Sequence, residues 1–169
     1  MITHQDLVRL WGEENIVLAD PGTLTRLHLH PEALQVLIEI GLPRLVERLF
    51  AATEPAMLEV PHRPGRWCRI GTEPLEWSNA EFCVEAQTGD VVYLFPAGDG
   101  LDRFVNSSLA LFVECLYRDT ADRIRWSAAS DDEVIRSARR LERQLRRIDP
   151  PAFADPDHYW AVTFEDVRE

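Results

Sequence analysis

The spacing of apolar residues changes in the middle of the chain, and this change constrains the fold more than any other feature. Between Met57 and Phe95, apolar and polar residues alternate with a period of two in the runs WCRIGT, EFCVEAQ and VVYLF. A period of two places successive side chains on opposite faces of a strand. Thr88-Gly89-Asp90 separates the last two runs and has the composition of a tight turn. The sequence therefore predicts an antiparallel sheet here.

The run EFCVEAQ also predicts how this sheet is oriented. Its two faces carry Phe82, Val84 and Ala86 on one side, and Glu81, Cys83, Glu85 and Gln87 on the other. Antiparallel sheets commonly pack one face on the core and turn the other to water. We therefore expect Glu81 and Glu85 to point to solvent.

Helical spacing of apolar residues flanks the predicted sheet on both sides. The predicted helices cover residues 4–12, 31–40, 107–124 and 130–148. Pro31 is tolerated in a first helical turn, and Gly41 has the expected place of a left-handed C-terminal cap. Ser130 and Glu133 have the spacing of a capping box. These signals predict that helices precede and follow the sheet in the sequence.

The tail fits two patterns. Trp160, Val162 and Phe164 alternate as in a strand, whereas Tyr159, Thr163 and Val167 join a helical stripe that follows Asp155-Pro156. An acidic cap followed by proline is typical of a helix start, so we predict a helix. The complete order predicts an α+β fold, a central antiparallel sheet with packed N- and C-terminal helices, formed as one domain by residues 1–169.

Asn106-Ser107-Ser108 allows three interpretations. The triplet matches the acceptor sequence for N-linked sugar. Its serines precede an apolar run and could include a nucleophile, and its side chains are of the types that cap helices. No secretory signal is recognisable, and no glycine-flanked nucleophile turn surrounds the serines. We therefore interpret the segment as the start of a helix, with Asn106 among the capping residues.

Acidic residues are concentrated in one segment of a chain with net charge −11. Residues 73–102 contain no lysine or arginine, and their carboxyl groups belong to Glu73, Glu76, Glu81, Glu85, Asp90, Asp99 and Asp102. Such an acidic segment argues against nucleic acid as a partner and favours a basic protein or simple solubility. Trp77 lies in the same segment. A core position is expected for it, as for the other tryptophans, but it is also the best aromatic candidate for an interface anchor.

No arrangement of residues indicates catalysis, a metal or a cofactor. His28 and His30 lack a third ligand at a recognisable spacing, and no glycine-rich phosphate loop is present. Cys68, Cys83 and Cys115 match neither a zinc site nor a redox pair, so we expect buried free thiols. Together with the absence of a recognisable leader or membrane span, this predicts a non-enzymatic cytoplasmic protein.

Five segments of the sequence resemble a known family. They are IGLP at 40–43, GRWCRIG at 65–71, EAQTGDVVYL at 85–94, RFVNSSLALFVECL at 103–116 and IDPPAFADPDHYW at 148–160. They resemble the SUKH superfamily of bacterial immunity proteins, in particular its type-four branch, over about residues 30–165. The resemblance implies an α+β fold with a central antiparallel sheet. It also implies binding and neutralisation of a polymorphic toxin, many such toxins being nucleases or nucleic-acid deaminases.

Two functions follow from the resemblance. The first is an immunity protein that sequesters a cognate toxin, as a monomer or weak homo-oligomer, without nucleic acid or membrane as a partner. The alternative is a regulatory or scaffold domain of the same fold without a toxin. Residues 57–66 and 98–102 match nothing in the family, so we expect such variable segments to influence partner choice.

Overall fold

The computed structural model describes residues 2–126 and 130–165 of the chain. Its main helices are α1 (His4–Trp11), α2 (Pro21–Thr25), α3 (Pro31–Gln35), α4 (Leu109–Arg123), α5 (Asp131–Ile148) and α6 (Tyr159–Glu165). Its strands are β1 (Ile16–Val17), β2 (Leu42–Pro43), β3 (Leu45–Val46), β4 (Phe50–Leu58), β5 (Trp67–Thr72), β6 (Glu81–Glu85), β7 (Val91–Leu94) and β8 (Arg103–Asn106). Short 3-10 turns cover Glu13–Asn15 and Pro150–Phe153, and a π-helical turn covers Val36–Ile40.

The strands β3 to β8 form a six-stranded antiparallel sheet in which sequence neighbours are also spatial neighbours. β1 and β2 pair separately. The predicted α+β fold with a central antiparallel sheet is confirmed, and β5, β6 and β7 lie where the alternating runs placed them. The register shift in β4 surrounds Pro55, between Ala52 and Ala56. Proline cannot donate to a strand ladder, so a bulge is where a strand accepts it.

The inner face of the sheet packs against the helices. Phe82 stacks on Phe112 of α4 with ring centroids 5.4 Å apart, and Phe50 meets both rings edge-on. Trp160 of α6 is fully buried in the same core. Aromatic pairs in these geometries add to the stabilisation from buried apolar area. The predicted inward position of Phe82, Val84 and Ala86 is confirmed.

The outer face of the sheet is covered as well, and the prediction that it faces solvent is wrong. Cys83 is fully buried there in a second apolar cluster with Val60, Trp67, Val92 and Leu94. Val60 belongs to the segment that connects β4 to β5, so this connection folds back across the sheet. The alternation of side chains was predicted correctly, but the long-range contact that covers one face was not.

The helix signals are largely confirmed. Glu133 accepts a hydrogen bond from the backbone N–H of Ser130 at 2.8 Å, as a capping box requires. The tail forms α6 over Tyr159–Glu165, and Val167 of the predicted stripe lies outside the described residues. Gly41 has φ 89° and ψ 173°, which is not the predicted left-handed cap conformation. It ends a π-helical turn instead.

Asn106 does not cap α4, contrary to the prediction. Ser108 is the cap residue, and its hydroxyl accepts from the Leu111 N–H at 3.3 Å. Asn106 is fully buried and donates to the Asp149 carboxylate at 2.8 Å, while its carbonyl accepts from the Trp160 indole N–H at 2.9 Å. The segment is structural, as expected, but Asn106 joins β8 to the C-terminal region.

The three cysteines are free and buried, as predicted. Cys68 and Cys83 lie on neighbouring strands but on opposite faces of the sheet, since Cys68 belongs to the inner core and Cys83 to the outer cluster. Burial raises the pKa of the Cys68 thiol to about 11 and that of Cys115 to about 12.

Within residues 2–126 and 130–165, no helix has the length and apolar character needed to cross a bilayer.

Candidate functional site

Two long connections leave the sheet at the same end. Residues 73–80 join β5 to β6, and residues 95–102 join β7 to β8. Their bases are adjacent because Thr72 pairs with Glu81, and Glu81 pairs with Leu94. We call this end of the sheet the Trp77 end. The turn from β6 to β7, which contains Asp90, lies at the opposite end.

Trp77 is 80% exposed, so the expectation of a core position is wrong. Glu76 beside it is also exposed. The neighbouring connection exposes Asp99 and Leu101, with Leu101 57% accessible. We call Glu76, Trp77, Asp99 and Leu101 the Trp77 surface. It combines two large apolar side chains with two carboxylates on loops that start from adjacent strands.

Glu73 is held within the protein. Its carboxylate accepts a hydrogen bond from the Tyr93 hydroxyl at 2.7 Å. Burial raises the pKa of Tyr93 well above its usual range, and the bond to Glu73 adds to the increase. Tyr93 therefore stays protonated and remains a donor to Glu73 at physiological pH.

Asp102 connects residues 57–66 to the loop 98–102, the two segments that the sequence predicts to influence partner choice. One of its oxygens accepts from the Phe95 N–H at 3.0 Å, and the other lies 2.9 Å from His62 Nε2. Arg63 approaches the same oxygen at 3.7 Å. The Asp102 side chain is only 11% exposed. Asp102 therefore links residues 57–66 to residues 98–102 through hydrogen bonds, and its side chain is too buried to contact a partner directly.

Glu81 lies on the covered outer face and is 19% exposed. Burial raises the pKa of its carboxyl group, and the Arg69 guanidinium 3.8 Å away partly offsets that increase. Glu81 is therefore paired with Arg69 on the covered face and does not belong to an open surface.

Glu85 and Asp90 lie at the opposite end of the sheet from Trp77. Glu85 accepts hydrogen bonds from the N–H groups of Gln87 at 2.7 Å and Thr88 at 2.6 Å, so it stabilises the turn into β7. The seven carboxylates predicted as one patch are therefore divided. Glu76 and Asp99 accompany Trp77, whereas the others are bonded internally, half-buried or distant.

A cleft of about 370 Å³ at the Trp77 end was missed by sequence reasoning. Arg48, Arg103 and Arg123 line it together with Glu73. These arginines come from the β3–β4 turn, the start of β8 and the end of α4, so no local pattern joins them. The sequence signal for the β3–β4 turn is the polar pair Glu47-Arg48 between two apolar residues. This pair lacks the glycine or asparagine that marks most tight turns.

No group of three or more histidine, cysteine or acidic side chains is arranged to hold a metal within the described part of the chain. The exposed residues at the Trp77 end combine an aromatic side chain with charged neighbours, a composition that occurs in protein interfaces.

Comparison with protein families decides the broader identity. The model of the SUKH-4 immunity protein family matches residues 2–166. The chain belongs to the SUKH-4 immunity protein family. This match confirms the resemblance and extends it to nearly the whole of the 169 residues. No curated protein and no solved structure matched the chain. Membership of SUKH-4 supports an immunity function, and the family match includes the segments that form the Trp77 surface.

Proposed function

We propose that this SUKH-4 protein neutralises a cognate polymorphic toxin domain by binding it stoichiometrically in the cytoplasm. The chain acts as one folded domain, as a monomer or weak homo-oligomer, with no cofactor and no catalytic step of its own. Family membership supports the immunity role. The observation that supports the location of the contact is Trp77, which is 80% exposed within the connection from β5 to β6.

An exposed tryptophan loses little conformational freedom on binding and buries a large apolar area. Tryptophan is accordingly enriched among the few residues that dominate protein interfaces, usually near the centre of the contact. Leu101 provides a second apolar anchor on the adjacent connection, and Glu76 and Asp99 would form part of a charged rim.

The charge of the protein favours a basic partner. Its net charge is −11, and the two carboxylates of the Trp77 surface are exposed. A toxin that cleaves or deaminates nucleic acid needs a cationic cleft for its own substrate, and such a cleft attracts an acidic protein over a long range. We therefore propose a nuclease or nucleic-acid deaminase as the toxin class.

Co-production with the toxin domain encoded beside the gene tests the proposal. The SUKH-4 protein should restore growth and elute with the toxin as a one-to-one complex. Growth rescue without a complex would contradict neutralisation by binding. A complex with a neighbouring protein that is not toxic would favour the alternative, a regulatory or scaffold domain.

Charge steering has its own matched control. Neutralising Asp99 as Asp99→Asn should slow association at low salt, whereas Asp90→Asn makes the same charge change at the opposite end of the sheet and should have a smaller effect. Equal rates for the two variants over a salt series would contradict steering by the Trp77 surface.

A further inference from the structure

The turn between β3 and β4 contains an arginine in a backbone conformation that favours glycine. Arg48 has φ 64° and occupies the third position of the turn Val46–Leu49, closed by a hydrogen bond of 3.0 Å from the Leu49 N–H to the Val46 carbonyl. Side chains with a Cβ are disfavoured at positive φ, and glycine or asparagine is usual at this position. Strained positions of this kind cluster at functional sites, where the side chain has a use that offsets the backbone cost.

The folded chain itself provides no such use. The Arg48 guanidinium is exposed and forms no hydrogen bond or ion pair with any residue in the described ranges 2–126 and 130–165. It lines the 370 Å³ cleft together with Arg103 and Arg123. Three arginines thus line one cavity of a protein whose net charge is −11.

The other two arginines are already fixed in position. Arg103 donates to the Asp157 carbonyl at 2.7 Å, and Arg123 donates to the buried Asp119 carboxylate at 2.6 Å. Each guanidinium has five N–H donors, so each keeps donors beyond the bond that orients it. Fixed donors lose little freedom on binding and are therefore suited to holding a ligand.

We propose that this cleft binds an organic monocarboxylate through Arg48, with Arg103 and Arg123 as supporting donors. A guanidinium matches the two oxygens of a carboxylate, and the Tyr93 and Tyr159 rings in the wall suit an apolar body behind it. Glu47 and Glu73 also line the cleft, and neither forms an ion pair with its arginines in the described part of the chain. Their negative charge disfavours a doubly charged phosphate and leaves a single carboxylate as the suitable anion.

The carboxylate has two possible sources, a free small molecule or an acidic side chain of a partner protein. The volume of the cleft lies in the range typical of small-ligand sites, about 300–1,000 Å³. The first source is tested with the chain alone, so that it does not depend on the proposed function. Sodium benzoate is the probe, and benzamide of the same shape without charge is its control, at constant ionic strength.

The experiment measures benzoate binding by backbone amide chemical shifts in the parent protein, Arg48→Gln, Arg48→Gly and Arg139→Gln. Arg139 is an exposed arginine of α5 distant in sequence from the cleft and serves as the matched charge control. The parent and Arg139→Gln should bind benzoate with shifts in Arg103 and Tyr93, and should not bind benzamide. Both Arg48 variants should bind at least about ten-fold more weakly. Arg48→Gly should unfold at the same temperature as the parent or a higher one, because glycine relieves the positive φ.

A partner-supplied carboxylate gives a different result. Benzoate would then fail to bind, but both Arg48 variants would lose at least about ten-fold in affinity for the cognate toxin domain while Arg139→Gln would not. The proposal is overturned if benzoate binding and toxin affinity are both unchanged by Arg48→Gly, or if benzamide binds as well as benzoate.

Discussion

Asn106 lies where β8 meets the C-terminal part of the chain, and its buried side chain serves both neighbours. Its amide donates to Asp149 and its carbonyl accepts from Trp160. The sequence placed a polar triplet at a helix start, which is correct for Ser108. The role of Asn106 could not be predicted, because Asp149 and Trp160 are 43 and 54 residues away in the chain.

Replacement of this residue tests the cluster. Asn106→Ala should lower the free energy of unfolding by about 3 kcal/mol, since it removes the acceptor of the buried Trp160 N–H and one donor to the Asp149 carboxylate, which keeps its bonds from Ser107. Ser108→Ala removes only the helix cap and should cost about 1 kcal/mol. Chemical denaturation measures both. Equal losses for the two variants would show that the buried bonds add nothing beyond a cap.

Glu85 gives a second prediction at the residue scale, with a definite pH dependence. Burial acts to raise the pKa of this carboxyl group, but backbone hydrogen bonds from Thr88, Arg66 and Gln87 outweigh it and lower the pKa below the ordinary value of 4.5. A depressed pKa in the folded state contributes stability above the unfolded-state value, and that stability is lost as pH falls through the folded-state value.

Glu85→Gln should therefore lower the free energy of unfolding by about 1 kcal/mol at pH 7, because the Gln amide has one oxygen acceptor and no charge, and solvent screens the exposed part of the site. The difference from the parent should shrink as pH falls below the unfolded-state pKa and disappear once pH is below the lowered folded-state pKa. Denaturation across pH 3–7 measures the effect. A difference that stays constant over this range would mean that the charge of Glu85 is not what stabilises the turn.

At the scale of elements, local patterns gave correct results where the determining contacts are local. Capping of α5 and alternation in β6 depend on neighbours within a few residues. No local pattern predicted β4, because Pro55 interrupts the strand pattern and a bulge accommodates it. The prediction failed for the outer face of the sheet, because Val60 covers that face from a different connection. The acidic patch is divided because Glu85 and Asp90 lie at the opposite end of the sheet from Trp77, and because Glu73 and Asp102 are bonded internally.

Asp102 should stabilise the contact between residues 57–66 and residues 98–102. Asp102→Ala removes the acceptor for the Phe95 N–H and for His62, so amide hydrogen exchange should become about ten-fold faster at Phe95 and across residues 59–66. Asp99→Ala, a change at an exposed neighbour, is the control and should leave these rates unchanged. Unaltered exchange in Asp102→Ala would show that these segments are held by apolar packing alone.

At the scale of the whole molecule, the sheet separates two kinds of surface. Its faces are covered, the inner one by helices and the outer one by residues of the β4–β5 connection. Its Trp77 end presents a large aromatic side chain next to a cleft with three arginines. The SUKH-4 match gives the immunity function, and the exposed end of the sheet gives the surface through which we propose that it acts.

The most direct measurement is the affinity of the cognate toxin domain for Trp77→Ala. This variant should keep the stability of the parent, because Trp77 is 80% exposed, and it should lose at least about 30-fold in affinity, equivalent to about 2 kcal/mol. Leu18→Ala removes another exposed apolar side chain, 48% accessible and near β1, and should stay within about two-fold of the parent. Parent-like affinity in a folded Trp77→Ala protein would contradict toxin binding through the Trp77 surface.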